Sequence, residues 1–379
     1  MEFVWAVFTF LLWVGLTTDW FLGLRNTTQL KRGLSPSPTH YPLLSVVIPA
    51  LNEARSLEAS LQSVLDQDYP NFEICVLNDR STDATGEILD RLKTRHPHLQ
   101  VVHISELPSG WLGKNHALHV GAAQARGEWL LFTDADVVFR PEAFSAAMTC
   151  AVTRDLEHLT ALPRMVSKSP LLASFVAVFT LLFSFGVLRA SAPATKAHAG
   201  LGAFNLLRRS VYEQLGGHSP IALRPDDDMM LGKLVKQAGF KQEVVLAAEL
   251  IEVAWYESVH QAVRGLNKNA FAGLFYSPAV VSLFVSALVL THILPFVAVF
   301  TTTGATQFLC VLVLINIALV YALGSWYLKL PGLCAPLHPL GAALLGYAVL
   351  ESAVKATWRG GVSWRGTFYP LEQLKRNKV

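Results

Sequence analysis

Thr133-Asp134-Ala135-Asp136 closes a short apolar run, Gly127-Glu128-Trp129-Leu130-Leu131-Phe132. The run reads as a buried strand. Its two carboxylates stand two residues apart, so in extended backbone both side chains leave the same face. Acidic groups crowded at the end of a buried strand repel each other and lose hydration. A divalent cation with oxygen ligands is the simplest compensation. A bare Asp-x-Asp is a weak signal, and the flanking segments decide its meaning.

Upstream, strand and helix signals alternate. Leu44–Pro49, Phe72–Leu77 and Val101–Ile104 read as strands, and Glu53–Leu65, Asp83–Arg95 and Asn115–Ala125 as helices, the second capped by Ser81 or Thr82. Strands alternating with crossover helices predict an α/β fold with a parallel, doubly wound sheet. Ligands of such sheets bind beyond the carboxyl ends of the strands. The polar clusters fall there: Asn52-Glu53, Asn78-Asp79-Arg80-Ser81 and Asp134-Ala135-Asp136.

The chain is 52% hydrophobic and only 16% charged over 379 residues, too apolar for an ordinary soluble protein. The apolar residues cluster at 3–23, 279–303, 307–328 and 336–350. The first three runs meet the roughly 20 residues that a bilayer crossing needs. Residues 1–24 lack a basic leader and a small-residue cleavage site, so they read as a retained anchor. Arg25, Lys31 and Arg32 follow it, which places the next domain in the cytosol. Residues 34–42 are a Pro/Ser linker. A further apolar run, 169–189, interrupts the domain; it reads as a helix lying on the membrane face, since acidic groups on both its sides are expected in one site. The net charge of +3 comes from scattered basic residues, which argues against nucleic-acid binding. Four cysteines show neither metal spacing nor a disulfide framework.

Taken together, these segments resemble the family 2 glycosyltransferases of GT-A fold, a Rossmann-like nucleotide-sugar-binding architecture. Ser45-Val46-Val47-Ile48-Pro49-Ala50-Leu51-Asn52-Glu53 is similar to that family's first strand and turn. Leu77 to Thr85 is similar to its nucleotide-binding turn, and Lys114-Asn115-His116-Ala117-Leu118 with Asp134-Ala135-Asp136 to its sugar-nucleotide helix and metal motif. The resemblance implies a domain over about 43–270, a hexosyltransferase activity, and Mg2+ or Mn2+ as cofactor. It assigns Pro49, Asn52, Glu53, Asp79, Lys114 and Asp134 to the nucleotide sugar, and Asp136 with Asp134 to the metal. The Gly110-Trp111-Leu112-Gly113-Lys114 variant and the membrane segments are similar to members acting on lipids, among them hopanoid-associated, carotenoid and ceramide glycosyltransferases. Two departures stand out: Asn78 where the family has an acid, and Gly265 where its Gln-x-x-Arg-Trp motif ends.

The same resemblance places a general base on Asp228, with Asp227 as the alternative, within Arg224-Pro225-Asp226-Asp227-Asp228. Adjacent carboxylates raise one another's pKa, the direction a base at neutral pH requires. An acidic helix start explains one or two such residues through the helix dipole, but three less readily. Gln261 and Arg264 are expected at the diphosphate, with the guanidinium as a bidentate clamp. His198 and Gly202, in the turn His198-Ala199-Gly200-Leu201-Gly202-Ala203-Phe204-Asn205, are expected on the acceptor side, while His116 and His119 are assigned to structure.

The function expected is single-sugar transfer, with inversion, from a nucleotide sugar (UDP-linked) to a lipid hydroxyl. The catalytic domain would face the cytosol, in a bacterium at the inner membrane. A polyprenyl phosphate acceptor, a non-catalytic nucleotide-binding scaffold and a polysaccharide synthase are the alternatives. The basic tail 357–379 conflicts with three crossings in 279–356, because it too belongs on the cytosolic side. An interfacial or re-entrant 336–354, with Trp364-Arg365-Gly366 turning back toward the active-site mouth, would remove the conflict.

Overall fold

Strand ends, rather than strand faces, carry the polar residues of this chain, and the topology gathers those ends. The computed structural model describes residues 1–31, 33, 40–192, 195–267, 269–364 and 367–376. Most of the Pro/Ser linker (34–39), Arg32, and Arg365, Gly366 and Lys378 of the basic tail lie outside the described residues. The chain divides into two units. One comprises Thr27–Arg164 and Arg189–Val253; the other comprises Met1–Asn26, Met165–Leu188 and Ala254–Arg376.

The first unit is built on a seven-stranded sheet. Its strands are β1 (Leu44–Ala50), β2 (Phe72–Asp79), β3 (Leu99–Ile104) and β4 (Trp129–Phe132), followed after β5 (Val137–Phe139) by β6 (His158–Leu162). After β7 (Arg164–Met165) come β8 (Asn205–Arg208), β9 (Gln242–Leu246) and β10 (Ile251–Val253). The order is β3-β2-β1-β4-β8-β6-β9, with a small β5-β10-β7 sheet beside it. Strands β1 to β4 are parallel, and β1, β2 and β4, buried along nearly their whole length, read as largely apolar runs, whereas the edge strand β3 carries Gln100 and His103. The expected fully parallel sheet holds only that far, because β8 runs antiparallel to both β4 and β6. The reason is local: the Asp134 amide donates to the Gly202 carbonyl at 2.9 Å, so the chain enters β8 where β4 ends and must run backward. The helix Thr85–Arg95 also starts differently from expectation. The Asp83 carboxylate, not Ser81 or Thr82, accepts the Thr85 amide at 3.0 Å.

The helix Gly113–Gln124 lies close on the sheet through Gly121. A Cβ there would come within 2.5 Å of Val47 Cγ1 and 2.6 Å of Leu77 Cδ2. This approach places Lys114, two turns earlier, at the strand ends.

In the second unit, five helices are long and apolar enough to cross a membrane: Glu2–Asn26, Pro170–Val187, Pro278–Thr301, Gly304–Tyr327 and His338–Arg359. The third contains a π turn at Val289–Ile293, just ahead of Pro295. Proline has no N–H to offer the carbonyl four residues back. The Thr291 carbonyl instead accepts the Trp13 indole N–H at 2.8 Å. His292 and His338 share a buried hydrogen bond of 2.9 Å, and the Tyr321 hydroxyl meets the other nitrogen of His338 at 3.2 Å. His338–Arg359 is unbroken and packs along Pro170–Val187, with Gly341 against Ser174.

Gly121→Val is expected to destabilise the first unit by about 1–3 kcal/mol through overpacking. Thermal unfolding of the full chain measures it; an unchanged midpoint would show that this helix has slack against β1 and β2.

Candidate active site

The turns that end β1 and β2 are held by each other's side chains. After β1, Asn52 takes a left-handed backbone (φ 57°), and its side-chain oxygen accepts the amides of Thr82 at 2.8 Å and Asp83 at 3.3 Å. Asn52 therefore braces the turn that follows β2. Pro49 is buried within β1, beyond the stretch where β4 pairs, so its missing N–H costs no ladder bond on that side. Glu53 is half-buried, and its amide donates to Thr85 Oγ1 at 2.8 Å.

At the end of β2, Asp79 is 2% exposed and both its oxygens engage Arg80, Nε at 2.7 Å and a terminal nitrogen at 2.9 Å. Arg80 is itself left-handed (φ 58°), a conformation that costs a non-glycine residue of order 1 kcal/mol and clusters at functional sites. Gly113 lies so close that a Cβ would overlap the Asp79 carboxylate and the Arg80 guanidinium. Asn78, the departure from the family pattern, has a physical fit. Its Nδ2 lies 2.9 Å from His103 Nδ1, and His103 Nε2 lies 3.0 Å from Asp90. A neutral amide can donate to that ring nitrogen, whereas a carboxylate cannot.

The centre of the site is Lys114. Its ammonium lies 2.9 Å from Asp134 Oδ1 and 3.5 Å from Asp227 Oδ2. Burial would lower the lysine's pKa, but Asp134, Asp227 and Asp228 outweigh it and hold the group charged well above its ordinary range. Asp228 sits beside it: Oδ2 accepts the Gly202 amide at 2.6 Å, and Oδ1 accepts the Met229 amide at 2.8 Å. Burial raises the Asp228 pKa, opposed by Lys114 and the two amides and reinforced by Asp134. Asp226, the third acid of that run, is held bidentately by Arg224 at 2.9 and 2.8 Å. Asp136 is pushed up to about 7 by burial, by Asp134 and by Glu53.

Gly202 ties the two acidic turns together, its carbonyl on the Asp134 amide and its amide on Asp228. A Cβ there would lie 2.5 Å from Asp134 Oδ2 and 3.2 Å from Lys114 Nζ, so only glycine fits. A partly open cavity of about 10 Å³, room for about one water, is lined by Lys114, Thr133, Asp134, Gly202, Asn205, His218, Asp227 and Asp228. His198 sits on the same loop, half-buried, with Nδ1 3.3 Å from the Lys196 carbonyl. Gln261 and Arg264 belong to the other unit, on the helix Val259–Leu266, where Gln261 Oε1 accepts the Glu257 amide at 2.7 Å and Arg264 is exposed. Beside them, the Tyr256 ring fills the space over Gly265.

Sequence reading missed His158, His218 and Gln242, lone polar residues without telling spacing, and gave Asn205, the last residue of the glycine turn, no role of its own. His218 is buried with its Nδ1 2.7 Å from the Tyr212 hydroxyl, and His158 is wholly buried between Asn205 and Gln242.

Among the described residues no three His, Cys, Asp or Glu side chains form a metal cage. Mg2+ and its relatives are commonly held by one or two carboxylates plus substrate phosphates. Asp136 and Asp134 fit that donor set, and the raised pKa of Asp136 marks a carboxyl that a dication would ionise.

The glycosyl transferase family 2 profile matches residues 45–216, the stretch from β1 through β8. The chain carries a family 2 glycosyltransferase domain. YdaM, a probable glycosyltransferase of Bacillus subtilis (strain 168), is 28% identical over 233 residues, 58% of this chain and 55% of that protein. The 4,4'-diaponeurosporenoate glycosyltransferase of Staphylococcus aureus (strain USA300) is 25% identical over 240 residues, 62% of each. The chain thus spans a little over half the length of these two curated relatives. Among solved structures, the mannosyltransferase PcManGT from Pyrobaculum calidifontis, in complex with GDP-Man and Mn2+, superposes with a TM-score of 0.56 at 21% identity, covering 95% of this chain and 99% of that one. That likeness is one of fold, and the family 2 domain has a GT-A-like α/β core.

Burial holds His158 at about 4 and His218 at about 3. Both lie below the unfolded value of about 6.5, so the unfolded chain takes up protons first as pH falls and stability drops from about 6.5 downward. Asp136 acts in the opposite sense, because its folded pKa is raised. The clean measurement is therefore a difference. Between pH 6 and 4.5, wild type should lose up to ~1.4 kcal/mol per pH unit relative to His158→Gln. Parallel stability curves for the two proteins would contradict a neutral buried His158.

Proposed function

We propose that the chain is an inverting glycosyltransferase that moves a single sugar from a nucleotide donor, UDP-linked, to a lipid hydroxyl at the cytosolic face of a membrane. The observation that carries this reading is the Asp134–Lys114–Asp227 cluster beside Asp228, at the carboxyl edge of a family 2 domain. The Asp79–Arg80 pair, with Pro49, Asn52 and Glu53 shaping its surroundings, would meet the nucleoside. Arg264 and Gln261 would take phosphate oxygens, and the loop with His198 and Gly202 would border the acceptor. Asp136, assisted by Asp134, would hold Mg2+ or Mn2+, which when bound supplies positive charge for the departing diphosphate.

Asp228 takes the proton of the acceptor hydroxyl. The freed oxygen attacks the anomeric carbon on the face opposite the diphosphate, the carbon–diphosphate bond breaks, and configuration inverts. The Gly202 and Met229 amides fix the direction of the Asp228 carboxylate, while burial keeps it basic enough to accept a proton. Lys114 balances the acidic cluster and, once donor binds, faces a phosphate as readily as a carboxylate. The cavity is too small for a sugar, so substrate would lie on its open side.

The helices support a membrane acceptor. His338–Arg359 has the lowest hydropathy of the five, 1.2, and packs along Pro170–Val187. We place both at the membrane face, leaving Pro278–Thr301 and Gly304–Tyr327 as a crossing pair that returns the basic tail to the cytosol. A C-terminal tag in inside-out vesicles should be cleaved by added protease; a protected tag would overturn this topology.

Detergent-solubilised protein incubated with labelled UDP- and GDP-linked sugars and lipid extract should yield a labelled lipid, with the label lost on chelation and restored by Mg2+ or Mn2+. Asp228→Asn should lower turnover by roughly 10²–10⁴-fold with nucleotide binding retained. A mild effect would point to an acceptor that is already an anion, such as a lipid phosphate. Absence of both transfer and donor hydrolysis across the panel would overturn the enzymatic reading.

A further inference from the structure

Asp228 is aimed by a buried chain of side chains that the chemistry above does not use. His158 on β6 is wholly buried, and its Nδ1 accepts from Gln242 Nε2 at 2.8 Å. Its proton therefore resides on Nε2, which donates to Asn205 Oδ1. That bond turns Asn205 so that Nδ2 faces the Asp228 carbonyl, 3.5 Å away. Gln242, in turn, accepts the Ala199 amide on Oε1 at 2.9 Å and donates to the Gly232 carbonyl at 2.8 Å. Each link thus ends on the glycine loop or on the helix Asp227–Gln237.

At those two places backbone meets backbone. A Cβ on Gly200 would overlap the Asp228 carbonyl, and one on Gly232 would overlap the Ala199 carbonyl. The loop so fixed presents the Gly202 amide to Asp228 Oδ2 and the Gly202 carbonyl to the Asp134 amide.

We propose that His158, Asn205 and Gln242 are positioning residues that lock the loop 199–202 onto the first turns of Asp227–Gln237 and thereby set the direction of the Asp228 carboxylate. The proposal rests on reading Asp228 as the proton acceptor, but its geometric half stands apart from that reading. Apolar side chains of similar volume would fill the same space without directional bonds. Three buried polar side chains that satisfy one another define a single arrangement instead. Neutral His158 suits the role, because a second ring proton would confront the Gln242 amide nitrogen.

The test uses the full chain in detergent with two readouts, steady-state transfer and amide hydrogen exchange over peptides spanning 199–204. His158→Phe keeps the ring volume and removes both bonds. It should lower kcat by about ten- to hundredfold and leave the donor KM within about threefold, with faster exchange in the loop. His158→Gln, which can donate and accept at once, should restore most of kcat and the slow exchange. Should His158→Phe not fold, Asn205→Asp takes its place: it keeps the acceptor for His158, removes the donor toward Asp228, and should show the same kcat loss. Unchanged loop exchange in a folded variant would overturn the lock. Faster exchange with wild-type kcat would overturn the aiming of Asp228. Faster exchange in a protein whose wild type transfers no sugar would sink the enzymatic reading and leave the lock standing.

Discussion

One ammonium among several carboxylates is the constraint on which the site depends. Asp134 and Asp227 come from segments almost a hundred residues apart, and Lys114 touches both. Without it, Asp227, which is 3% exposed, would lose a charged partner, and breaking a buried pair typically costs several kcal/mol. Even with it, Asp136 and Asp228 keep raised pKa values, so one lysine does not compensate every carboxyl of the cluster. The cluster is therefore stable only as an incomplete arrangement, one that improves when further positive charge arrives. A site for a metal-bound diphosphate has this character.

The rest of the first unit is arranged to bring those groups to one edge. Gly121 lets the helix bearing Lys114 settle on β1 and β2, and Gly202 lets the returning chain pass between Asp134 and Asp228. In both cases a side chain is absent so that charged groups elsewhere can meet. The antiparallel insertion of β8 follows from the second approach, since the loop must begin where β4 ends.

This division explains what could be read from the chain alone. Parallel strands buried on both faces announce themselves as apolar runs, so β1, β2 and β4 were legible, while β3 begins two residues before the expected Val101 and the first helix of the domain four residues after the expected Glu53. The acidic ends of β2 and β4 and the triple aspartate were legible because carboxylates are conspicuous beside apolar neighbours. The reversal at β8 was not, because Asn205-Leu206-Leu207-Arg208 carries no mark of direction and is set by a contact seventy residues away. His158 and Gln242 were equally hidden. Each opens a buried strand, and its role is given only by the partner on the neighbouring strand. Asn78 stood out as a misfit until His103 appeared beside it, which shows how a departure at one position can be answered at another.

The π turn ahead of Pro295 has a consequence for the N-terminal helix. The Thr291 carbonyl, four residues before Pro295, accepts the indole N–H of Trp13. In hydrocarbon no water could replace that donor. The leading helix is thus not an interchangeable tether whose only duty is to be greasy. It is a specific member of its unit, and a foreign anchor of equal length and hydropathy would lack the indole that this one offers to the Thr291 carbonyl.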